Sequence, residues 1–299
     1  MRLIITGGSG LLGSAVAALS QANGYETYTG YNQHQANEGT PIPLDITNIH
    51  MIEKAFQKAQ PKIVIHSAAM TNVDRCEENQ TQATMINVKG TRNIVKEAKK
   101  YGAFVLYVST DYIFSGEKGG YLESDEPSPI NHYGATKLEG EQILISSNIE
   151  YCIVRPSVIY GSRPAAGKEN FALWVINNLR NGKLINIVDD NWVSPTLNTN
   201  LAEMILEIVE RRLTGVYHLS GATPINRYDF TKQIAKTFGL DESLILPVTS
   251  EALNWKARRP RNSTLNVAKA SATLSSKPLE IQAALKRVKD EIVDQLEKT

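Results

Sequence analysis

Tyr133 and Lys137 stand four residues apart in "NHYGATKLEGE" (131–141). On a helix that spacing puts both side chains on one face. A free phenol, with a pKa of about 10, is a poor acid near neutral pH. A cation one turn away stabilises the phenolate and so makes the phenol a usable proton donor. The same pattern also occurs on solvated helix surfaces, where it does no chemistry. What separates the two readings is whether the rest of the chain builds a place for a proton transfer.

A second group of residues points to a phosphate. "TGGSGLLG" (6–13) follows an apolar run and opens a helical one, with Gly7, Gly10 and Gly13 in G-x-x-G-x-x-G spacing. The first glycine permits a tight turn and the second lets the backbone approach a pyrophosphate. The third lets the helix pack close to the strand, and the helix N-terminus then faces the anion. Leu11 and Leu12 begin that helix. Dinucleotide binding is therefore expected, against a merely structural turn. The end of the second strand, "TGYNQHQ" (29–35), has no acid to bind a ribose 2′-hydroxyl, and Glu26 lies at the strand's start, out of reach. No arginine or lysine occurs between Arg2 and Lys54. Tyr31, Asn32 and Gln33 can hydrogen-bond either cofactor, so the expected cofactor is NADP(H), by a modest margin, with NAD(H) as the alternative.

The elements that must position these residues alternate. Strand-like runs at 3–7, 25–31, 62–69, 103–110 and the start of 151–161 are separated by helical runs at 11–24, 52–60, 83–102 and 133–145. Continuous apolar strands between helices predict an α/β fold, a doubly wound parallel sheet covered on both faces. Beyond residue 160 the pattern loosens: a loop at 163–169, helices at 170–182, 199–212, 227–239 and 284–298, strands at 184–190 and 215–220, and a basic, turn-rich loop at 256–265. The expected organisation is a nucleotide-binding domain over 1–160, to which 190–220 returns. A smaller, interwoven substrate domain is expected over 161–189 and 221–299.

The bulk numbers limit the function. With 299 residues, 42% of them apolar, a sizeable core is feasible. A net charge of +1 offers no field for nucleic acid or an anionic membrane. Cys76 and Cys152 fall in no metal-ligand spacing and make no disulfide framework, which suits packed thiols in a reducing cytosol. No metal site is read from the sequence, and the glutamate cluster that a metal-bridged dimer would need is not evident. With no signal peptide and no run near a membrane span in length, a cytoplasmic protein is expected.

"TGGSGLLG", "LDIT" (44–47), "STDYIFSG" (109–116), "YGATK" (133–137), "RPSVIYG" (155–161) and "ARRPRNSTL" (257–265), in this order, resemble the extended short-chain dehydrogenase/reductase family. Within it the chain is most similar to the dTDP-4-dehydrorhamnose reductase branch, which also includes the non-catalytic regulatory subunit of methionine adenosyltransferase. The resemblance covers almost the whole chain. It implies a catalytic triad of Thr110, Tyr133 and Lys137, with Lys137 also holding the nicotinamide ribose. It further implies adenine contacts from Asp45 and Ile46 and close passage of the cofactor over Ala68 and Ala69. Arg155 and Ser157 would lie near the nicotinamide. Substrate contacts are implied for Thr110, Asp111, Tyr112, Asn170 and Arg258. Three of these positions have plainer readings: Asp45 as a helix N-cap, Arg155 as a structural ion-pair partner, and Arg258 with Arg259 and Arg261 as a solvated basic loop. If functional, that arginine cluster would grip a diphosphate. Asn87 is read as a buried polar bracket and His66 as a satisfied strand-end histidine.

Two stretches depart from the branch. Val158 stands where its reductases carry a tryptophan, and "DNWVSPT" (190–196) stands where they carry Asp-Gln-x-Gly-x-Pro-Thr. The expected activity is reduction of a nucleotide-linked 4-keto-6-deoxy sugar, with that nucleotide sugar as partner and with monomer and homodimer both open. The alternatives are a cofactor-binding regulatory subunit without turnover, to which "GYNQ" and "RPRN" are similar, and a nucleotide-sugar epimerase or dehydratase. The dehydratase reading lacks an expected acid, because Asp111 is followed by Tyr112.

Overall fold

The computed structural model describes residues 1–166 and 168–297. Residue 167 of the expected loop and residues 298 and 299 at the end of the chain lie outside the described residues. The first part of the chain runs β1 (Arg2–Thr6), α1 (Leu11–Ala22), β2 (Glu26–Tyr31), β3 (Thr40–Pro43), α2 (Ile49–Ala59), β4 (Ile63–His66), α3 (Val73–Glu78), α4 (Gln80–Thr84), α5 (Thr91–Lys100), β5 (Phe104–Val108), α6 (His132–Ile145) and β6 (Tyr151–Arg155). It continues through β7 (Ser157–Tyr160), α7 (Phe171–Arg180), β8 (Ile185–Val188), β9 (Trp192–Val193), β10 (Pro195–Leu197), α8 (Asn198–Arg211), β11 (Gly215–His218), β12 (Ile225–Asn226), α9 (Arg227–Phe238), β13 (Ile245–Val248), α10 (Ala268–Thr273) and α11 (Ile281–Glu297).

Seven parallel strands form one sheet in the order β11-β6-β5-β4-β1-β2-β3. The expected α/β doubly wound sheet is thus the observed one. Every residue of β4 and β5 is buried, as strands covered by helices on both faces must be. One apolar layer joins Leu3, Ile5, Val16 and Leu106 to Leu201 and Ile205 of α8. The other joins Ile4, Val64 and Val105 to Phe56 and Ile94. Strand order reverses between β1 and β4, where a crevice opens at the carboxyl edge of such sheets. A third apolar cluster, with Tyr160, Ile176, Phe230, Ile234 and Leu285, holds α7, α9 and α11 against β8.

Three local features differ from the periodic pattern. Strand β3 was not expected, because "TPIP" carries two prolines. It lies at the sheet edge, paired only with β2, where missing N–H donors are tolerated. The expected helix over 83–102 is two helices joined by a π-helical turn at Met85–Gly90. That turn presents Asn87, whose Oδ1 accepts from the Met70 N–H at 2.7 Å. Its Nδ2 donates to the Met70 carbonyl at 3.1 Å and to Thr136 Oγ1 at 3.0 Å. Finally, the run 151–161 splits at Pro156: β6 joins the main sheet, whereas β7 pairs with β10 across a register shift. Val158, the β7 residue at that shift, has φ of 23°, a strained conformation for a β-branched residue.

Candidate active site

A cleft of about 790 Å³ runs along the carboxyl edge of the sheet. Its lining brings together Gly7, Gly10, Leu11, Leu12, Gly13, Tyr31, Asn32, Asp45, Ile46, Ala68, Ala69, Thr110, Asp111, Tyr112, Tyr133 and Lys137. Fourteen of them come from segments before residue 113, and Tyr133 and Lys137 from α6.

At one end the glycine turn closes on itself. Gly7 has φ of 69°, and its carbonyl accepts from the Gly10 N–H at 2.9 Å. A Cβ on Gly13 would sit 2.2 Å from the Gly7 oxygen, so α1 packs as close as it does only with glycine there. No side chain caps α1, and the amide donors of its first turn are left for an anion. Asp45 lines the adjoining stretch; its Oδ1 accepts from the Thr47 N–H at 2.8 Å and the Thr47 hydroxyl at 2.7 Å. The helix that follows is capped by Asn48 instead, which sets aside the N-cap reading of Asp45. Glu26 faces away, bonded by Tyr28 Oη at 2.6 Å.

At the other end α6 begins at Asn131, whose Oδ1 accepts from the Gly134 N–H at 2.8 Å and whose Nδ2 donates to the Arg258 carbonyl at 2.9 Å. The cap therefore ties the helix carrying Tyr133 and Lys137 to the loop beyond residue 256. Lys137 is 2% exposed. Burial pulls its pKa down to about 7, against the opposing pull of Glu141. The Tyr133 phenol is pushed well above its ordinary value, first by burial. The facing Thr110 hydroxyl opposes this, and Asp111, Cys76 and Tyr112 add to it. Thr110 Oγ1 donates to Asp111 Oδ1 at 3.1 Å and accepts from the Tyr112 N–H at 3.2 Å.

His66 is fully buried with both ring nitrogens bonded, to Thr6 Oγ1 at 2.7 Å and Thr91 Oγ1 at 3.0 Å. Burial, then Lys137, holds its pKa down at about 3. It is a neutral spacer between β4 and α5.

Three expected site residues lie outside the cleft lining. Arg155 does not line the cleft; it makes a buried two-point pair with Glu141, at 3.0 and 2.7 Å. Asn170 does not reach the cleft either. It caps α7 by accepting from the Ala172 and Leu173 N–H groups and donates to the Gly161 carbonyl at 2.9 Å. Arg258 is exposed and contributes its carbonyl, as above, while Arg259 pairs with Asp74 at 3.0 Å and Arg261 is 75% exposed on its side chain. Asp111 does lie in the cleft wall, where Oδ1 accepts the Thr110 hydroxyl and Oδ2 those of Ser157 and Ser263.

Two arginines do line the cleft with Lys168, namely Arg75 of α3 and Arg227; Arg227 stands at the start of α9. Its Nε donates to Asn191 Oδ1 at 2.7 Å, and its guanidinium lies 5.3 Å from the Phe171 ring centroid. Sequence reasoning missed it because a lone arginine behind an asparagine reads as an ordinary first-turn residue. Among the described residues no group of three or more His, Cys, Asp and Glu side chains could hold a metal, and no helix is long and apolar enough to cross a membrane.

A family model described as the RmlD substrate binding domain matches residues 1–293. The chain is 29% identical over 300 residues to a dTDP-4-dehydrorhamnose reductase of Aggregatibacter actinomycetemcomitans, covering 96% of this chain and 98% of that one. It is 32% identical over 273 residues to methionine adenosyltransferase 2 subunit beta of Bos taurus, covering 89% and 80%. Among solved structures, a dTDP-4-dehydrorhamnose reductase from Bacillus anthracis in complex with NADP superposes with a TM-score of 0.88 at 32% identity, covering 97% and 99%.

Proposed function

The chain belongs to the RmlD substrate binding domain family, and from that premise we propose that it is an NADPH-dependent reductase of a nucleotide-linked 4-keto-6-deoxy sugar, of the dTDP-4-dehydrorhamnose reductase kind. The observation that carries this is the meeting of Thr110, Tyr133 and Lys137 in one cleft with the uncapped, glycine-lined start of α1. The cradle suits a dinucleotide: a side chain at Gly13 would strike the Gly7 carbonyl and undo the turn. Tyr31 and Asn32, with Asp45 and Ile46, would hold the adenosine half, and Ala68 and Ala69 leave room beside it. Bound NADPH supplies hydride.

The chain's own residues supply the proton and the charge. Tyr133, held protonated by its surroundings, gives its proton to the ketone oxygen. Lys137, buried one turn along, is the cation that steadies the phenolate left behind and a donor to the ribose. Arg227 with Lys168 provides the positive charge that a nucleotide diphosphate needs, bidentate in the case of the guanidinium. In this reading residues 161–189, and those from 221 onward, form the substrate lobe. The similarity to methionine adenosyltransferase 2 subunit beta favours a second reading, a cofactor-binding subunit without turnover.

One assay separates the two: NADPH oxidation against a panel of nucleotide-linked 4-keto-6-deoxy sugars, with wild type and Tyr133→Phe side by side. Turnover by wild type that falls by roughly 10²–10⁴ in the variant, with NADPH binding retained, is the expected result. Equal turnover by both proteins would remove Tyr133 from the chemistry, and no turnover by wild type would favour the regulatory reading.

A further inference from the structure

Asp111 is 2% exposed and carries three hydroxyl donors: Thr110 Oγ1 on Oδ1 at 3.1 Å, and Ser157 Oγ at 2.8 Å with Ser263 Oγ at 2.6 Å on Oδ2. These partners come from three distant parts of the chain: the end of β5, the bend after Pro156, and the loop before α10. A carboxylate that only accepts fits three donors; burial raises the Asp111 pKa, and the Ser263, Ser157 and Thr110 hydroxyls oppose that rise. A hydroxyl has one proton and two lone pairs. The proton of Thr110 is directed to Asp111, and one lone pair takes the Tyr112 N–H at 3.2 Å. What remains for the cleft, and for the phenol of Tyr133 facing it, is a single lone pair.

We propose that Asp111 is a positioning residue for the proton transfer: by drawing the Thr110 hydroxyl proton to itself, it leaves Thr110 as an acceptor that aims the Tyr133 O–H. This rests on the reductase reading, and it gives Thr110 the role of a guide for the acid. Tyr133 then holds the transferable proton in the cleft. When that proton has gone to the ketone oxygen, the Thr110 hydroxyl can rotate from Asp111 to the new phenolate, so the same proton serves either anion in turn. The negative charge of Asp111 also opposes early ionisation of Tyr133. The other titratable groups around the phenol are Cys76, Tyr107 and Tyr112 and, on its own helix, Lys137.

The test is an ultraviolet titration of the Tyr133 phenol with NADP⁺ bound, taken as the difference between wild type and Tyr133→Phe, and repeated with Asp111→Asn in both. Loss of the neighbouring anion is expected to move phenolate formation ~1 pH unit lower. In steady state, kcat of Asp111→Asn is expected to fall ~10-fold while the KM for the ketone and the NADPH affinity hold. An unmoved titration overturns the proposal, as does loss of cofactor binding in step with kcat. If Asp111→Asn does not fold, Ser263→Ala keeps the carboxylate and withdraws one donor. The acid limb of its kcat profile is expected to move to higher pH, and an unmoved limb overturns the proposal. If wild type reduces no sugar in the panel, the reductase reading fails by itself, and the phenol titration still decides the link between Asp111 and Tyr133.

Discussion

The ammonium of Lys137 lies 4.1 Å from the centroid of the Tyr107 ring, in a place that water scarcely reaches. An aromatic face is a weak substitute for hydration, and burial brings the lysine down to about 7. Between about 7 and its ordinary value the unfolded chain binds a proton that the folded chain does not. Stability therefore rises with pH through that window.

Lys137→Met removes this burden while leaving the packing nearly intact. The variant is expected to melt ~3 °C above wild type near neutral pH, a gap that shrinks as pH rises toward about 10. Its turnover is expected to be lost. Paired melting curves across that range check the point, and a gap that widens with pH would show that burial does not lower the pKa of the lysine.

Glu141 and Arg155 are 1% and 4% exposed and bond at two points. Glu141→Gln leaves the guanidinium buried without its counter-charge, which is expected to cost ~3–5 kcal/mol of stability. Chemical denaturation measures this. Affinity for NADPH in the folded fraction is expected to stay unchanged, because Arg155 does not line the cleft.

The glycine turn separates binding from folding. A Cβ at Gly10 would come 3.1 Å from the Gly7 oxygen, whereas one at Gly13 would come within 2.2 Å. Gly10→Val is expected to fold and to lose NADPH binding by at least ~100-fold, about 2.7 kcal/mol. Gly13→Ala is expected to lower Tm as well. Fluorescence titration with melting curves resolves the two.

Arg227 and Arg258 make a matched pair. Arg227→Met is expected to raise the KM for a nucleotide sugar ~10-fold or more with NADPH affinity unchanged, because a guanidinium–phosphate contact is lost. Arg258→Met is expected to change neither, since Arg258 serves through its carbonyl. A larger effect from Arg258 would return the diphosphate to the 256–265 loop.

Short-range patterns carried much of this protein. Apolar runs of four or five residues between helical periods suffice for a parallel sheet, because burial on both faces removes the polar alternation of a half-exposed strand. Three glycines at fixed spacing predict the turn at α1, and a tyrosine and lysine four apart predict that they share a helix face. Both signals depend on backbone geometry that neighbouring residues decide among themselves. The tertiary structure decided what depends on partners distant in the chain. Arg155, 14 residues from Glu141, became half of a buried pair, and Asp111 met Ser263 from 152 residues away. Asn87 sits in a π-helical turn and bonds Met70 and Thr136, whereas an apolar period can show only an ordinary helix there. The choice of Arg227 over the arginine cluster followed from how α9 packs against α7 and β8 in the third apolar cluster. No local residue pattern encodes which charged side chain that packing turns toward the cleft.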